Sequence, residues 1–338
     1  MKFSSSAFSA WLGGGPAGPL LGLLAFALYA THDTLVKYLG GSYSTFQIVF
    51  FSGLFSFPLI ILMLLQDPTP GTLRARHLWW NLVRTLSMVS GWAAVFYAFS
   101  VLPLAQTYAI LFSTPLLITL LSIPVLGEKV GIHRGGAVLV GLLGVLIVLR
   151  PGGADLTLGH AAALWAAICS ATSSVIVRRI GRDERAAVLM LYPMLASVVI
   201  MGAVLPFVYV PVAAIDMAAL AVVAALAFGA ALCIIAAYRR AEATVVAPMQ
   251  YSQMIWAALF GWLFFSEIPD WWTVLGAAVI IASGLFILFR ESRVNVSAHQ
   301  PVLATRMQMD TAASPRAGLL PEHQPPGVDG AQVSPDDH

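Results

Sequence analysis

The sequence predicts an all-α integral membrane protein of ten transmembrane helices, arranged as two inverted five-helix repeats. Three observations predict it. Hydrophobic residues make up 59% of the chain and charged residues 10%, against about a quarter charged in a soluble domain. A mean hydropathy of +0.84 is more apolar surface than a globular core can hide. The second observation is a duplication: Ala98-Phe99, Pro103, Ser113 and Glu128 recur as Ala237-Tyr238, Glu242, Ser252 and Glu267, at a constant offset of 139 residues. After one extra residue, Gly136, Gly144 and Arg150 meet Gly276, Gly284 and Arg290, and Lys37-Tyr38-Leu39-Gly40 aligns with Arg178-Arg179-Ile180-Gly181. Repeated apolar units of this kind are the mark of repeat-built transporters. The third observation is the uneven placement of lysine and arginine.

In chain order, residues 1–17 form a short tail with one lysine and no long apolar run, unlike a cleaved signal peptide. The first repeat occupies 18–150 and the second 157–290. Spans of about 20 residues fall near 19–38, 45–65, 78–100, 103–126 and 131–149 in the first. Their counterparts are near 158–180, 186–208, 216–239, 243–265 and 271–289. Five spans is an odd number, so the second copy enters the membrane from the opposite side. With the N-terminus inside, one surface collects nearly all lysines and arginines, and Lys37 and Arg150 alone fall on the other. Basic loops stay cytoplasmic, so both termini are expected there. Trp79-Trp80 and Trp271-Trp272 stand at span ends, where amphipathic rings favour the headgroup level. Residues 291–338, rich in Pro, Gln, Asp and Ser, read as a disordered cytoplasmic tail.

Polar groups within spans are costly and mark function. In span one, His32, Asp33 and Lys37 form the first group. Asp33 and Lys37 lie four apart on one face and can pair, either as an external gate or coupling site or, for Lys37, as a charge snorkelling to water. In span three, Arg84 lies roughly 9 Å from the cytoplasmic end, with Asn81, Ser87 and Ser90 nearby. It reads equally as a binder of anionic groups and as an anchor to lipid phosphates. The third group joins Ser113 and Thr114 of span four to Ser252 and Gln253 of span nine, about 15 Å deep at equivalent repeat positions. With Gln250, Tyr251 and Trp256 it is the expected substrate site, because equivalent midplane residues converge on the axis of an inverted repeat. The competing reading is interhelical hydrogen bonding worth about 0.6 kcal/mol per pair. Glu128 and Glu267 read as helix-start caps. Ala137, Gly141, Gly144, Gly276, Ala278 and Ala282 suit close helix packing.

The two cysteines, Cys169 and Cys233, lie in apolar runs and offer neither a disulfide framework nor a CxxC metal site. GxGD, HExxH, GxSG and GxxxxGK[ST] are absent from the sequence, which argues against an enzyme and against direct ATP drive. No cofactor or metal is expected.

The runs FYAFSVLPLAQTYAILFSTPLL, LGEK and GGAVLVGLLGVLIVLRPG resemble EamA-type members of the drug/metabolite transporter superfamily. The second copy, from AAYRRAEATVVAPMQYSQ through FSEIPDWW to IASGLFILFR, follows the same pattern except where Glu242 stands opposite Pro103. The resemblance implies a ten-helix inverted repeat in a bacterial inner membrane and alternating access to a central cavity. It implies that spans one, three, four, six, eight and nine line that cavity while five and ten pack outside. The implied function is movement of a small organic metabolite, such as an exported amino acid; the alternatives are import of riboflavin or of S-adenosylmethionine. The expected partners are that solute and the lipid bilayer, with no nucleic acid; a homodimer is admitted. Few charges lie at midplane depth, so the cargo is expected to be zwitterionic, neutral or weakly charged.

Overall fold

The computed structural model describes residues 17–65, 73–128, 130–151, 156–181, 183–241 and 243–293. The N-terminal tail before residue 17, Glu242 and the C-terminal tail after residue 293 lie outside the described residues. The first repeat contains α1 (Ala17–Gly40), α2 (Thr45–Leu65), α3 (Leu78–Val101), α4 (Leu104–Leu111), α5 (Thr114–Leu126) and α6 (Ile132–Leu149). The second contains α7 (Leu158–Ile180), α8 (Ala186–Val208), α9 (Ala214–Arg240), α10 (Ala243–Val246), a 3₁₀ turn (Ala247–Tyr251), α11 (Ser252–Phe265) and α12 (Trp271–Arg293). The protein is a multi-pass membrane protein of ten spans. Eight of them, with α4 and α5 counted as one, are long and apolar enough to cross a bilayer individually. The last helix continues to Arg293, three residues into the stretch expected to be disordered, because Phe289 and the residues before it carry the apolar pattern onward.

Helix neighbours obey the duplication. α1 packs along α9 while its repeat counterpart α7 packs along α3; α2 meets α8, α6 meets α12, and α5 on α7 mirrors α11 on α1. Exchanging the two repeats returns these contacts, the signature of a pseudo-two-fold relation, although α1 also packs on α3 without a comparable contact between α7 and α9. The α1–α9 contact is close because Ala25, Ala30, Ala227 and Ala230 are small and fully buried, and small side chains let helix backbones approach. The α6–α12 contact rests on glycine. A Cβ on Gly276 would lie 2.7 Å from the Gly144 carbonyl oxygen, and one on Gly144 would lie 2.9 Å from that of Gly276. Ser283 adds a hydrogen bond from its hydroxyl to the Ala137 carbonyl at 2.5 Å.

Spans four and nine, expected to be continuous, are each interrupted. Pro115 has no N–H to donate to the Leu111 carbonyl, and the Thr114 hydroxyl donates to it instead at 2.7 Å. In span nine Pro248 lies inside the 3₁₀ turn that separates α10 from α11. The breaks come at equivalent places. Phe112 and Tyr251, 139 residues apart, touch edge-to-face with ring centroids 5.4 Å apart. The two interrupted spans therefore meet at their breaks, near the centre of the bundle.

Candidate functional site: a cavity beside a buried carboxylate

A small cavity of about 30 Å³ lies between α3 and α7, bounded also by α1 and the span-four break. Asp33 of α1, Ser87, Met88, Trp92 and Phe99 of α3, Leu111 and Thr114 at the span-four break, and Cys169 and Ser170 of α7 contribute to its wall. Spans eight and nine, expected among the lining helices, supply no wall residue. Opposite α1 the second repeat has alanines on α9 where the first has Trp92 on α3, and tight packing leaves no room there.

Asp33 is fully buried. Its Oδ1 meets His32 Nδ1 at 2.7 Å, and its Oδ2 accepts a short hydrogen bond from the Tyr108 hydroxyl. Gln253 of α11, also buried, stands in polar contact with the same hydroxyl. A chain His32–Asp33–Tyr108–Gln253 thus runs from α1 through α4 to α11. Its outer ends stay unsatisfied, since His32 Nε2 and Gln253 Oε1 are buried without a hydrogen-bond partner among the described residues. Trp92 Nε1 on the cavity wall shares that state. Buried polar atoms without partners are costly; of the three, only Trp92 belongs to the cavity wall, where a ligand can meet its N–H.

The expected Asp33–Lys37 pair is not formed. Lys37 Nζ instead meets Glu267 Oε1 at 2.8 Å and donates to the carbonyls of Leu102 at 2.5 Å and Phe99 at 3.4 Å. One helical turn beyond Asp33, the end of α3 offers bare carbonyls that an ammonium satisfies better than a carboxylate already held by two donors. Nor does Lys37 snorkel to water, because Glu267 seals it in. Glu267 Oε2 caps α4 through the Leu104 N–H at 3.1 Å, so this carboxylate caps a helix of the other repeat and not its own successor.

Arg84 is neither an anion binder at a mouth nor a lipid anchor. It is 1% exposed and donates from Nη1 to the Leu189 carbonyl of α8 at 2.6 Å. Beside it, Glu184 accepts from the His77 N–H at 2.7 Å and from Asn81 Nδ2 at 2.8 Å, so this corner ties α3 to the α7–α8 turn. Of the remaining expected substrate residues, Ser113 is buried at the break with its hydroxyl unpartnered, and so is the hydroxyl of Ser252. Tyr251 packs on Phe112 and Trp256 on Phe260. Gln250, Tyr251, Ser252, Gln253 and Trp256 are absent from the cavity wall, and Thr114 is on it.

Sequence reasoning passed over Tyr108, Trp92, Glu184 and Asp216. Tyr108 was detectable as a phenol five residues before the polar Ser113-Thr114 pair on the same span. Asp216 accepts from the Tyr43 hydroxyl at 2.7 Å, which raises the Tyr43 phenol above its ordinary value. Among the described residues no group of His, Cys, Asp and Glu is placed to hold a metal ion.

The EamA-like transporter family model matches residues 16–150 and again residues 157–289. The chain belongs to the EamA-like transporter family. Its EamA repeats are similar to an S-adenosylmethionine uptake transporter of Rickettsia felis, 24% identical over 82% of this chain and 94% of the relative. A pseudopaline exporter of Pseudomonas aeruginosa is 25% identical over 79% and 94%. A riboflavin transporter of Vibrio cholerae is 30% identical over 66% and 75%. One solved crystal structure shares the EamA chain's fold at a TM-score of 0.56 and 18% identity, over 82% of this chain and 98% of its own. This EamA protein is a membrane transporter by family, and its relatives act on small molecules.

Proposed function

We propose that the protein is a secondary transporter that moves a small organic metabolite carrying a positive centre and a flat or apolar portion, by alternating access to the α3–α7 cavity. The observation that carries this is the chemistry of the wall: one carboxylate, Asp33, and no basic side chain. A buried carboxylate within a span is expensive unless a partner neutralises it. His32 and Tyr108 stabilise it by hydrogen bonding, and a cationic solute adds the opposite charge. Trp92 and Phe99 supply faces for a cation or a ring, and Ser87, Ser170 and Thr114 supply polar contacts. S-adenosylmethionine, named in the Rickettsia relatives, combines a sulfonium with a flat purine and fits this wall better than neutral riboflavin. Relatives named for uptake and for export share the scaffold, so the solute gradient sets net flux in either direction.

The test is a binding and uptake series in liposomes, using cationic, zwitterionic, neutral and anionic analogues of one ring system. Cationic and zwitterionic members should bind at least about tenfold tighter than the anionic one, since like charge beside a carboxylate is disfavoured. Equal affinity across the series removes Asp33 from the cargo site.

Both termini are placed in the cytoplasm of a bacterial inner membrane on the basic-residue asymmetry. Reporter fusions after Arg76 and Arg185 should then report cytoplasm, and one after Gly152 periplasm. The opposite pattern at all three reverses the orientation.

A further inference from the structure

The structure holds two ion pairs that the duplication makes equivalents of each other. Lys37 aligns with Arg178, and Glu128 with Glu267. The pairs are crossed: Lys37 of the first repeat holds Glu267 of the second, and Arg178 of the second holds Glu128 of the first. Their burial matches, with side-chain exposures of 9% and 22% in one and 6% and 21% in the other. Each basic cluster also takes helix-end carbonyls, Lys37 those of Phe99 and Leu102, and Arg179 that of Val125. A second crossed contact accompanies each pair: Tyr43 to Asp216 at one end and the His77 N–H to Glu184 at the other, both 2.7 Å.

The two sets lie at opposite ends of the bundle. The chain passes from Leu104, capped by Glu267, through the whole of span four before reaching Glu128, roughly 35 Å at helical rise. The cavity lies between them. Asp33 is one turn from Lys37 on α1, and Cys169 and Ser170 are two to three turns from Arg178 on α7. Stability alone does not account for keeping this device twice, because buried ion pairs are often no better than apolar packing of equal volume. A pair that water can hydrate when it parts suits a contact that must break and reform.

We propose that the Lys37–Glu267 and Arg178–Glu128 pairs are the two gates of the transport cycle, closed together here and opened one at a time. The inference rests on the transport reading above. Rocking one repeat against the other strains both pairs in opposite senses, so parting one opens the cavity at its end while the other holds.

The native Cys169 on the cavity wall reports which end is open. The full chain carrying Cys233→Ala is placed in membrane vesicles of each orientation, and a membrane-impermeant thiol reagent is added outside. Glu267→Gln should raise the rate of Cys169 modification about tenfold from the Lys37 end and leave it unraised from the other. That is the shift produced by about 1.4 kcal/mol of gate stability. Glu128→Gln should do the reverse. No change with either variant, or a rise from the same end with both, overturns the gates. Where a glutamine variant fails to reach the membrane, the aspartate variants Glu267→Asp and Glu128→Asp shorten the pair and give the same readout. No cargo is needed, so failure of the cation series above leaves this result standing, and failure here leaves the cargo reading standing.

Discussion

Replacing Asp33 by Asn is expected to weaken binding of a cationic cargo at least about thirtyfold and to leave a neutral analogue nearly unaffected. Removing one charge from a buried, hydrogen-bonded pair costs about 2–5 kcal/mol, and 2 kcal/mol is roughly thirtyfold in affinity. Asparagine keeps the shape of the side chain and an oxygen for the Tyr108 hydroxyl, whose short bond to Asp33 anchors α1 to α4. The helices should therefore stay in place. The contrast between charged and neutral analogues decides the matter: a variant that lost both equally would be damaged in fold, and one that lost neither would place the cation elsewhere. Titration calorimetry on purified protein at equal monodispersity gives both numbers.

Replacing Gly276 by Leu should produce the largest loss of stability. The first added carbon would already lie 2.5 Å from Val148 Cγ2 and 2.7 Å from the Gly144 carbonyl oxygen. The opposing atoms include backbone, which cannot rotate aside, so α12 must separate from α6. Overpacking costs about 1–3 kcal/mol in cores that can adjust, and a helix pair joined through facing glycines should reach the top of that range. Loss of the Ser283–Ala137 hydrogen bond would add to it. The control is Gly136→Leu, on the same pair of spans, where a Cβ meets nothing within 4 Å. Denaturant midpoints in detergent should fall for the first and stay within error for the second. Equal midpoints would mean that the glycine contact does not hold these helices together.

The fold was legible because hydropathy, span length and the duplication act along the chain, where one sequence displays them. Gly144 and Gly276 were readable as contact residues for the same reason. The site was legible in part. Asp33 stood out as a carboxylate within a span, and its neighbour His32 proved to be its partner. The span-nine residues expected at the substrate site are absent from the cavity wall, and this was not legible because a cavity is a failure of packing between helices, set by differences in side-chain volume that no single helix reveals. Gln253 looked like a ligand group and is turned toward Tyr108. Arg84 and Lys37 take backbone carbonyls, Leu189 in one case and Phe99 and Leu102 in the other, and carbonyls leave no trace in sequence. Glu128 and Glu267 carried a usable signal in their repetition. Crossing them with the aligned basic residues, instead of reading each glutamate within its own repeat, points to both ion pairs.

The cavity is off-centre, and this has a consequence for how such a chain changes its cargo over time. In the second repeat, Ser173 and Ser174 stand where the first has His32 and Asp33, and Ala231 stands where it has Trp92. The first repeat carries the carboxylate and its histidine while the second frames them, fitting α9 against α1 through alanines. Mutations that retune selectivity therefore have few places to fall, on α1, α3 and the span-four break. The second half enters mainly through Cys169 and Ser170. A change of solute is therefore expected to need substitutions chiefly in the N-terminal half, with the C-terminal half serving as a frame.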